Sequence, residues 1–87
     1  MTYRVDLSAQ SQEFYRKADR PLARKLARCF QQLEQEPRQH GNIKPLKGNL
    51  AGHYRYRVGD YRLIYLIREQ QGTVFVLKIA HRGDVYE

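Results

Sequence analysis

The chain has 87 residues, of which 41% are hydrophobic and 29% charged, and its formal net charge is +7. This length allows one small domain with a modest core, and we expect that domain to span residues 1–87. The single cysteine excludes an internal disulfide and a cysteine-based zinc site, and it is typical of a reducing compartment. Because no apolar run is long enough for a signal peptide or a membrane span, the sequence predicts a cytoplasmic protein without a membrane partner.

The positive charge is concentrated in the middle of the sequence. Residues 38–68 contain seven Lys and Arg residues and one acid, Asp60. Residues 1–37 contain seven basic and five acidic residues, and residues 69–87 contain two basic and three acidic residues. An excess confined to one segment indicates a binding surface for a polyanion more than a general aid to solubility.

The first 37 residues predict a strand and two helices. Residues 3–7 alternate weakly, as a strand does, and Ser8 can cap a helix over about residues 9–18. Pro21 marks the start of a second helix, which Pro37 ends. Apolar residues at helical spacing form one stripe on this second helix, namely Leu22, Leu26, Cys29, Phe30 and Leu33. Cys29 is therefore predicted to be a core residue and not a reactive thiol.

The rest of the chain predicts a loop and three strands. Residues 38–52 contain three glycines and a proline and predict a loop with basic side chains. Residues 53–65 predict a hairpin with a two-residue Gly-Asp turn, and residues 73–80 predict a more buried strand. The order β-α-α-β-β-β predicts an α+β fold, with two N-terminal helices on one face of a small, mainly antiparallel sheet and the other face partly open.

The hairpin has an apolar face and a basic face. A Gly-Asp turn places Arg57 directly opposite Arg62, and strand alternation puts Arg55 on the same face. The other face carries Tyr54, Tyr56, Val58, Tyr61, Leu63 and Tyr65. Two opposed arginines repel each other and disfavour the sheet. Their presence in an otherwise regular hairpin indicates a site for a polyanion, with nucleic acid as the first candidate.

The available side chains favour metal-free RNA cleavage over other hydrolytic chemistry. The carboxylates are scattered, the three histidines lack zinc-site spacing, and no phosphate-binding loop is present, so we expect neither a metal nor a cofactor. In metal-free cleavage the ribose 2′-hydroxyl attacks the adjacent phosphorus, which requires a base, an acid and cations. Arginines can hold the phosphate, whereas His81 and Tyr86, just beyond the last strand, are candidates for proton transfer.

Three segments together resemble the RelE/ParE superfamily of toxins from type II toxin–antitoxin systems. They are residues 44–48 (KPLKG), residues 52–65 (GHYRYRVGDYRLIY) and residues 81–86 (HRGDVY). The resemblance covers nearly the whole chain. It implies a RelE-like fold and one of two activities, since RelE-like members cleave mRNA on the ribosome and ParE-like members act on DNA gyrase.

The resemblance also implies a set of functional residues. A RelE-type catalytic site would consist of Arg55, Arg57, Arg62, His81, Arg82 and Tyr86. Contacts with RNA or the ribosome would come from Lys44, Lys47, His53 and Arg68. The RelE pattern often has lysines where this chain has Arg55 and Arg57. Because a guanidinium does not lose its proton, proton transfer should depend more on His81 and Tyr86.

The sequence therefore predicts a toxin that cleaves mRNA on the ribosome and inhibits translation. One alternative is a non-catalytic toxin that poisons DNA gyrase, and another is a degenerate toxin that binds only its antitoxin. The cluster of His81, Arg82 and Tyr86 favours the first, because a gyrase-binding protein does not need it. The partners implied are the ribosome, its mRNA and an acidic, RelB-like antitoxin that folds on binding and forms a toxin–antitoxin hetero-oligomer.

Overall fold

The computed structural model of the protein describes residues 2–84. Its strands and α-helices are, in chain order, β1 (Arg4–Leu7), α1 (Ala9–Lys17), α2 (Arg20–Gln35), β2 (Ile43–Pro45), β3 (His53–Val58), β4 (Tyr61–Arg68) and β5 (Thr73–His81). Short 3₁₀ turns, Gly48–Leu50 and Glu69–Gln71, precede β3 and follow β4. Within residues 2–84, no helix is both long and apolar enough to cross a membrane.

The described strands form one sheet in the order β1-β5-β4-β3-β2. β1 is parallel to β5, and the other neighbouring strands are antiparallel. Both α-helices contribute to a core cluster on one face of this sheet. The predicted α+β class, with two N-terminal helices on one face of a small, mainly antiparallel sheet, is confirmed.

The predicted element order lacks one strand. The sequence predicts a loop over residues 38–52, but the structure places β2 within it. Ile43 pairs with Tyr56 and Lys44 pairs with Arg55. Ile43 is buried in the main core, so pairing with β3 and burial of one side chain stabilise this strand. Three residues are too few to show a strand periodicity in the sequence.

The two helices begin where the sequence predicts. The Ser8 side chain accepts a hydrogen bond from the backbone N–H of Ser11, and the Asp19 side chain accepts one from Leu22. These caps satisfy N–H groups that have no partner inside the helix. The apolar stripe of α2 packs on the sheet, and Cys29 is buried within it as predicted. Burial raises the pKa of the Cys29 thiol.

Polar side chains near the start of α1 complete the sheet where β1 ends. β1 pairs with β5 only as far as Leu7. Beyond that point the Gln10 side-chain amide donates to the carbonyl of Ile79 (2.7 Å) and accepts from its N–H (3.0 Å). The Ser8 hydroxyl donates to the carbonyl of Leu77 at 2.7 Å. Backbone groups of β5 that would lack a strand partner are thereby satisfied.

Tyr65 lies at the centre of the main core and is fully buried. Its hydroxyl donates to the backbone carbonyl of Pro37, at 2.6 Å. Burial of the ring raises the pKa of the Tyr65 hydroxyl well above its ordinary value. This contact joins the end of α2 to the middle of the sheet, so the helix layer and the strands that carry the basic residues are held in one arrangement.

Candidate functional site

The hairpin has the register that its sequence predicts. Arg57 pairs with Arg62, Val58 with Tyr61, and Arg55 with Ile64. Gly59, the first residue of the turn, has a positive φ of 58°, as a type II′ turn requires. The apolar side chains of the hairpin contribute to the core beneath the helices. The arginines therefore project from the opposite face of the sheet.

Four strands supply this opposite face. Across the sheet, Lys44, Arg55, Ile64 and Lys78 form one row of paired residues. A neighbouring row contains Arg57, Arg62 and Ala80. We refer to the surface as the arginine face and define it by Lys44, His53, Arg55, Arg57, Arg62 and Lys78. The sequence reasoning missed Lys78, which lies in the same row as two predicted site residues.

Arg57 and Arg62 are opposed in the ladder, but each guanidinium is held by an oxygen acceptor. Arg57 is exposed, and its Nη2 donates to Oδ1 of Asn42 at 3.1 Å. Arg62 is half-buried, and its Nη1 donates to the carbonyls of Gly59 (3.0 Å) and Tyr61 (2.8 Å). These hydrogen bonds hold each guanidinium in place on the same face of the sheet. Each is therefore oriented in advance for an incoming anion.

Arg55 lies between this pair and the centre of the face. It is half-buried, and its Nε is shielded from solvent without a hydrogen-bond partner among residues 2–84. A buried donor without an acceptor typically costs about 1–3 kcal/mol. The four ion pairs described for residues 2–84 involve neither Arg55, Arg57 nor Lys44. An incoming oxyanion would satisfy the Arg55 donor and neutralise a charge that no ion pair described for residues 2–84 neutralises.

Apolar side chains lie between the basic residues. Ile64 and Ala80 are buried on this side of the sheet, and Leu46 packs against them. This small cluster excludes water from the base of the face. Charge-assisted hydrogen bonds to a phosphate are stronger where water is excluded.

The segment after β5 lies beside the hairpin turn. The backbone N–H of Arg82 donates to the carbonyl of Asp60 at 2.8 Å, and Nζ of Lys78 donates to the carbonyl of Asp84 at 3.0 Å. The Arg82 side chain is exposed. Arg82 is thus near the end of the face that carries Arg62. Tyr86, the other predicted site residue of this segment, lies outside the described residues.

The structure does not place His81 with the arginines. His81 is the last residue of β5 and pairs with Tyr61. Its ring lies edge-on to Tyr61, with the ring centroids 5.7 Å apart. Tyr61 in turn contacts Phe14 of α1, with centroids 5.6 Å apart. His81 is therefore on the helix side of the sheet, whereas Arg62 points to the other side.

The predicted RNA- or ribosome-binding residues have different surroundings. Lys44 and Lys47 are exposed, and only Lys44 lies within a strand of the face. The guanidinium of Arg68 lies over the ring of Phe75, 4.7 Å from its centroid, in a cation–π contact. His53 is half-buried, and its Nδ1 is 3.2 Å from the carbonyl oxygen of Leu50. Lys44, His53 and Arg68 therefore lie on the same side of the sheet, and the first two are among the residues that define the arginine face.

A second surface feature lies on the helix side. An open depression of about 590 Å³ separates α1 from α2 beside Tyr61. Its apolar lining consists of Phe14, Ala18, Leu22 and Tyr61. The rim includes Glu13 and Lys17, which form an ion pair with each other. The depression could accept apolar side chains of a partner, and it is on the other side of the sheet from the arginine face.

Comparison with known proteins assigns the chain to a family. Residues 5–86 match the family described as the ParE toxin of the type II toxin–antitoxin system parDE. Toxin RelG of Mycobacterium tuberculosis is 36% identical over 87 residues, which are 99% of this chain and 98% of that protein.

Two solved toxin–antitoxin complexes contain a similar chain. The RelE–RelB complex of Pyrococcus horikoshii gives a TM-score of 0.82 at 30% identity and covers 98% of this chain and 100% of that one. The RelBE2 complex of M. tuberculosis gives 0.80 at 29% identity, with 94% and 100% covered. Together with the match over residues 5–86, these findings show that the chain belongs to the RelE/ParE superfamily of toxins from type II toxin–antitoxin systems.

Proposed function

We propose that this toxin is an endoribonuclease that cleaves mRNA on the ribosome in the cytoplasm and thereby inhibits translation. The observation that carries the proposal is the arginine face, on which three arginines and two lysines from four strands surround an apolar floor. Such a surface fits the charge that develops on a phosphate during attack by the ribose 2′-hydroxyl.

In this proposal the arginines bind and stabilise the scissile phosphate. Arg57 and Arg62 would bind the phosphate from directly opposite positions of the ladder, and the buried Nε of Arg55 would supply a further donor. These groups would contribute more to the pentacovalent transition state than to the ground state, because the transition state carries more negative charge. Arg82, tied to the turn through Asp60, would contact the same phosphate or its neighbour.

Proton transfer is assigned to side chains other than the arginines. Tyr86 stays a candidate acid for the leaving 5′-oxygen. His81 stays a candidate as well, but from its place beside Tyr61 it would act only on RNA that passes around the end of β5. Naked RNA should be a poor substrate, because a small face with few contacts depends on the ribosome to orient the chain.

The test is cleavage of an mRNA on purified ribosomes, mapped by primer extension, with EDTA present and polyamines keeping the ribosomes intact. Arg55→Gln/Arg57→Gln should lose cleavage. The matched control is Arg24→Gln/Arg28→Gln, which removes the same charge from exposed positions on α2, across the sheet. It should cleave like the wild type. Intact transcripts together with DNA breaks after induction would refute the proposal and support gyrase poisoning.

We further propose that an acidic antitoxin neutralises the toxin by forming a hetero-oligomer with it. A helical segment of the antitoxin would place apolar side chains in the depression beside Tyr61. A separate acidic segment would cover the arginine face on the other side of the sheet. Opposite charge should make association fast and sensitive to salt. An association rate constant that does not change between about 50 and 500 mM salt would refute the electrostatic part.

A further inference from the structure

His53 is the histidine that the fold places on the arginine face. It opens β3, two residues before Arg55 and four before Arg57, so the three side chains project from the same side of the strand. Residues two apart along a strand are separated by about 7 Å. A nucleotide bound to Arg55 through its phosphate would therefore have its ribose within reach of the His53 ring.

The hydrogen bonding of His53 defines which ring nitrogen is available. Nδ1 lies 3.2 Å from the backbone carbonyl oxygen of Leu50. A carbonyl can only accept, so Nδ1 must carry the proton of this bond. In the neutral ring Nε2 then has a free lone pair. The backbone is fixed as well, because the N–H of Leu46 donates to the His53 carbonyl at 2.9 Å.

The charged side chains around His53 are mainly cations. Its own strand supplies Arg55, and β2 supplies Lys44. The loop after β2 supplies Lys47, β4 ends at Arg68, and β5 contributes Lys78 in the row next to His53. Among the described residues after β5, the acid is Asp84, whose backbone carbonyl accepts a hydrogen bond from Lys78. The strand residue paired with His53 is the apolar Leu66.

We propose that His53 is the general base of the cleavage reaction, an inference that rests on the proposed function. Nε2 takes the proton of the 2′-hydroxyl while the 2′-oxygen forms a bond to phosphorus. The bond from phosphorus to the 5′-oxygen breaks, and that oxygen takes a proton from Tyr86 or from water. The products are a 2′,3′-cyclic phosphate and a free 5′-hydroxyl, and His53 then returns its proton to solvent. The backbone carbonyl of Leu50 accepts from Nδ1 and so keeps the neutral ring protonated there, which leaves Nε2 free to act as the base.

The test is single-turnover cleavage on programmed ribosomes by the wild type, His53→Gln and His53→Asn. Both variants should be slower by about 10²–10⁴-fold, the usual contribution of a general base. His40→Gln is the matched control, since His40 is exposed and its ring lies tilted beside that of Tyr56, on the helix side of the sheet. Glutamine keeps an acceptor for the backbone N–H of Asn42, which His40 binds through Nδ1. This control should cleave within a few-fold of the wild type.

The two variants separate a chemical role from a structural one. Asparagine places an amide N–H where Nδ1 stands and can still donate to Leu50, but it has no counterpart of Nε2. Glutamine has an amide near Nε2 and loses the bond to Leu50. If His53→Asn cleaved at the wild-type rate and His53→Gln did not, only the hydrogen bond to Leu50 would matter. That result would overturn the proposal.

The pH dependence gives a readout that a structural role would not change. A base must be unprotonated, so the wild-type rate should fall as the pH is lowered from neutral into the acid range. The cleavage rate of His81→Gln should show the same fall at low pH, even if the variant is slower overall. The residual cleavage rate of His53→Asn should not show it. If both His53 variants fail to fold, a wild-type rate that is flat over this range, or that becomes flat in His81→Gln, would overturn the proposal.

The outcomes for this inference and for the proposed function are distinct. Wild-type protein that leaves ribosome-bound mRNA intact refutes the nuclease function and this inference with it. Wild-type cleavage together with undiminished rates in both His53 variants refutes only the assignment of His53. Melting temperature and antitoxin binding of each variant show that the folded protein is being compared.

Discussion

Replacing one of the two opposed arginines should stabilise the protein and inactivate it. The perturbation is Arg57→Gln. Arg57 pairs directly with Arg62 in the β3–β4 ladder, and like charges at directly opposite positions oppose strand pairing. Glutamine removes the charge, keeps an amide donor that can reach Asn42, and leaves the backbone hydrogen bonds of the ladder in place.

The size of the effect follows from the positions of the two side chains. Removing an unfavourable cross-strand pair is worth roughly 0.2–1 kcal/mol. Arg57 is exposed, which screens the repulsion, and its hydrogen bond to Asn42 offsets part of the gain. We therefore expect a net stabilisation of about 0.5 kcal/mol, which for a domain of this size corresponds to a rise in melting temperature of about 2–4 °C.

The assay is thermal unfolding of the wild type, Arg57→Gln and Arg57→Lys at low and high salt. Lysine keeps the charge, so Arg57→Lys should show no such stabilisation. The difference in melting temperature between Arg57→Gln and the wild type should shrink as the screening length falls from about 10 Å at 0.1 M salt to about 3 Å at 1 M. Cleavage should fall about 10²–10³-fold, as for the loss of one transition-state donor. A glutamine variant that is less stable than the wild type at both salt concentrations would refute the repulsion argument.

Three further outcomes follow from the contacts described. Tyr65→Phe leaves the buried carbonyl of Pro37 without its donor, so urea unfolding should show a loss of about 1–3 kcal/mol; an unchanged midpoint would mean that water replaces the hydroxyl. Hydrogen bonds from Arg38, and then Tyr3, lower the pKa of Glu69, so their stabilisation is present above the ordinary carboxyl pKa and is lost as the pH falls through the lowered one. Glu69→Gln should remove this part of the acid-dependent loss in melting temperature. Arg82→Ala should keep its backbone bond to Asp60, melt normally and bind antitoxin, but cleave about 10²–10³-fold more slowly.

The parts of the fold that sequence reasoning predicts correctly depend on local geometry. The Gly-Asp turn sets the register of β3 and β4, because a two-residue loop leaves one pairing for every position after it. The start of α2 follows from Pro21 to within one residue, and its buried side from the spacing of Leu26 and Leu33. Each of these needs only residues close in sequence.

The side to which His81 points could not be predicted in this way. In the β4–β5 ladder, Ile64 pairs with Lys78 but Tyr65 pairs with Val76, so Leu77 of β5 is an extra residue. Strict alternation from Val76 would put His81 on the arginine face. The extra residue reverses the alternation, because a shift of one position moves every later side chain to the other face. No residue in the sequence marks this irregularity.

The same irregularity helps to assemble the site. Because Leu77 is left out of the pairing, Lys78 lies in the same row as Lys44 and Arg55. Ala80 then packs with Ile64 in the apolar floor. The Ser8 hydroxyl donates to the carbonyl of Leu77, and the Gln10 amide bonds both backbone groups of Ile79. The start of α1, on the helix side, therefore holds β5 in the arrangement that presents cations on the other side.

Stability is supplied mainly by the helix side, where the large buried side chains lie. This division lets the arginine face carry opposed charges and a buried Arg55 donor that no described residue pairs, features that would be unfavourable for folding alone. An oxyanion bound there would compensate them.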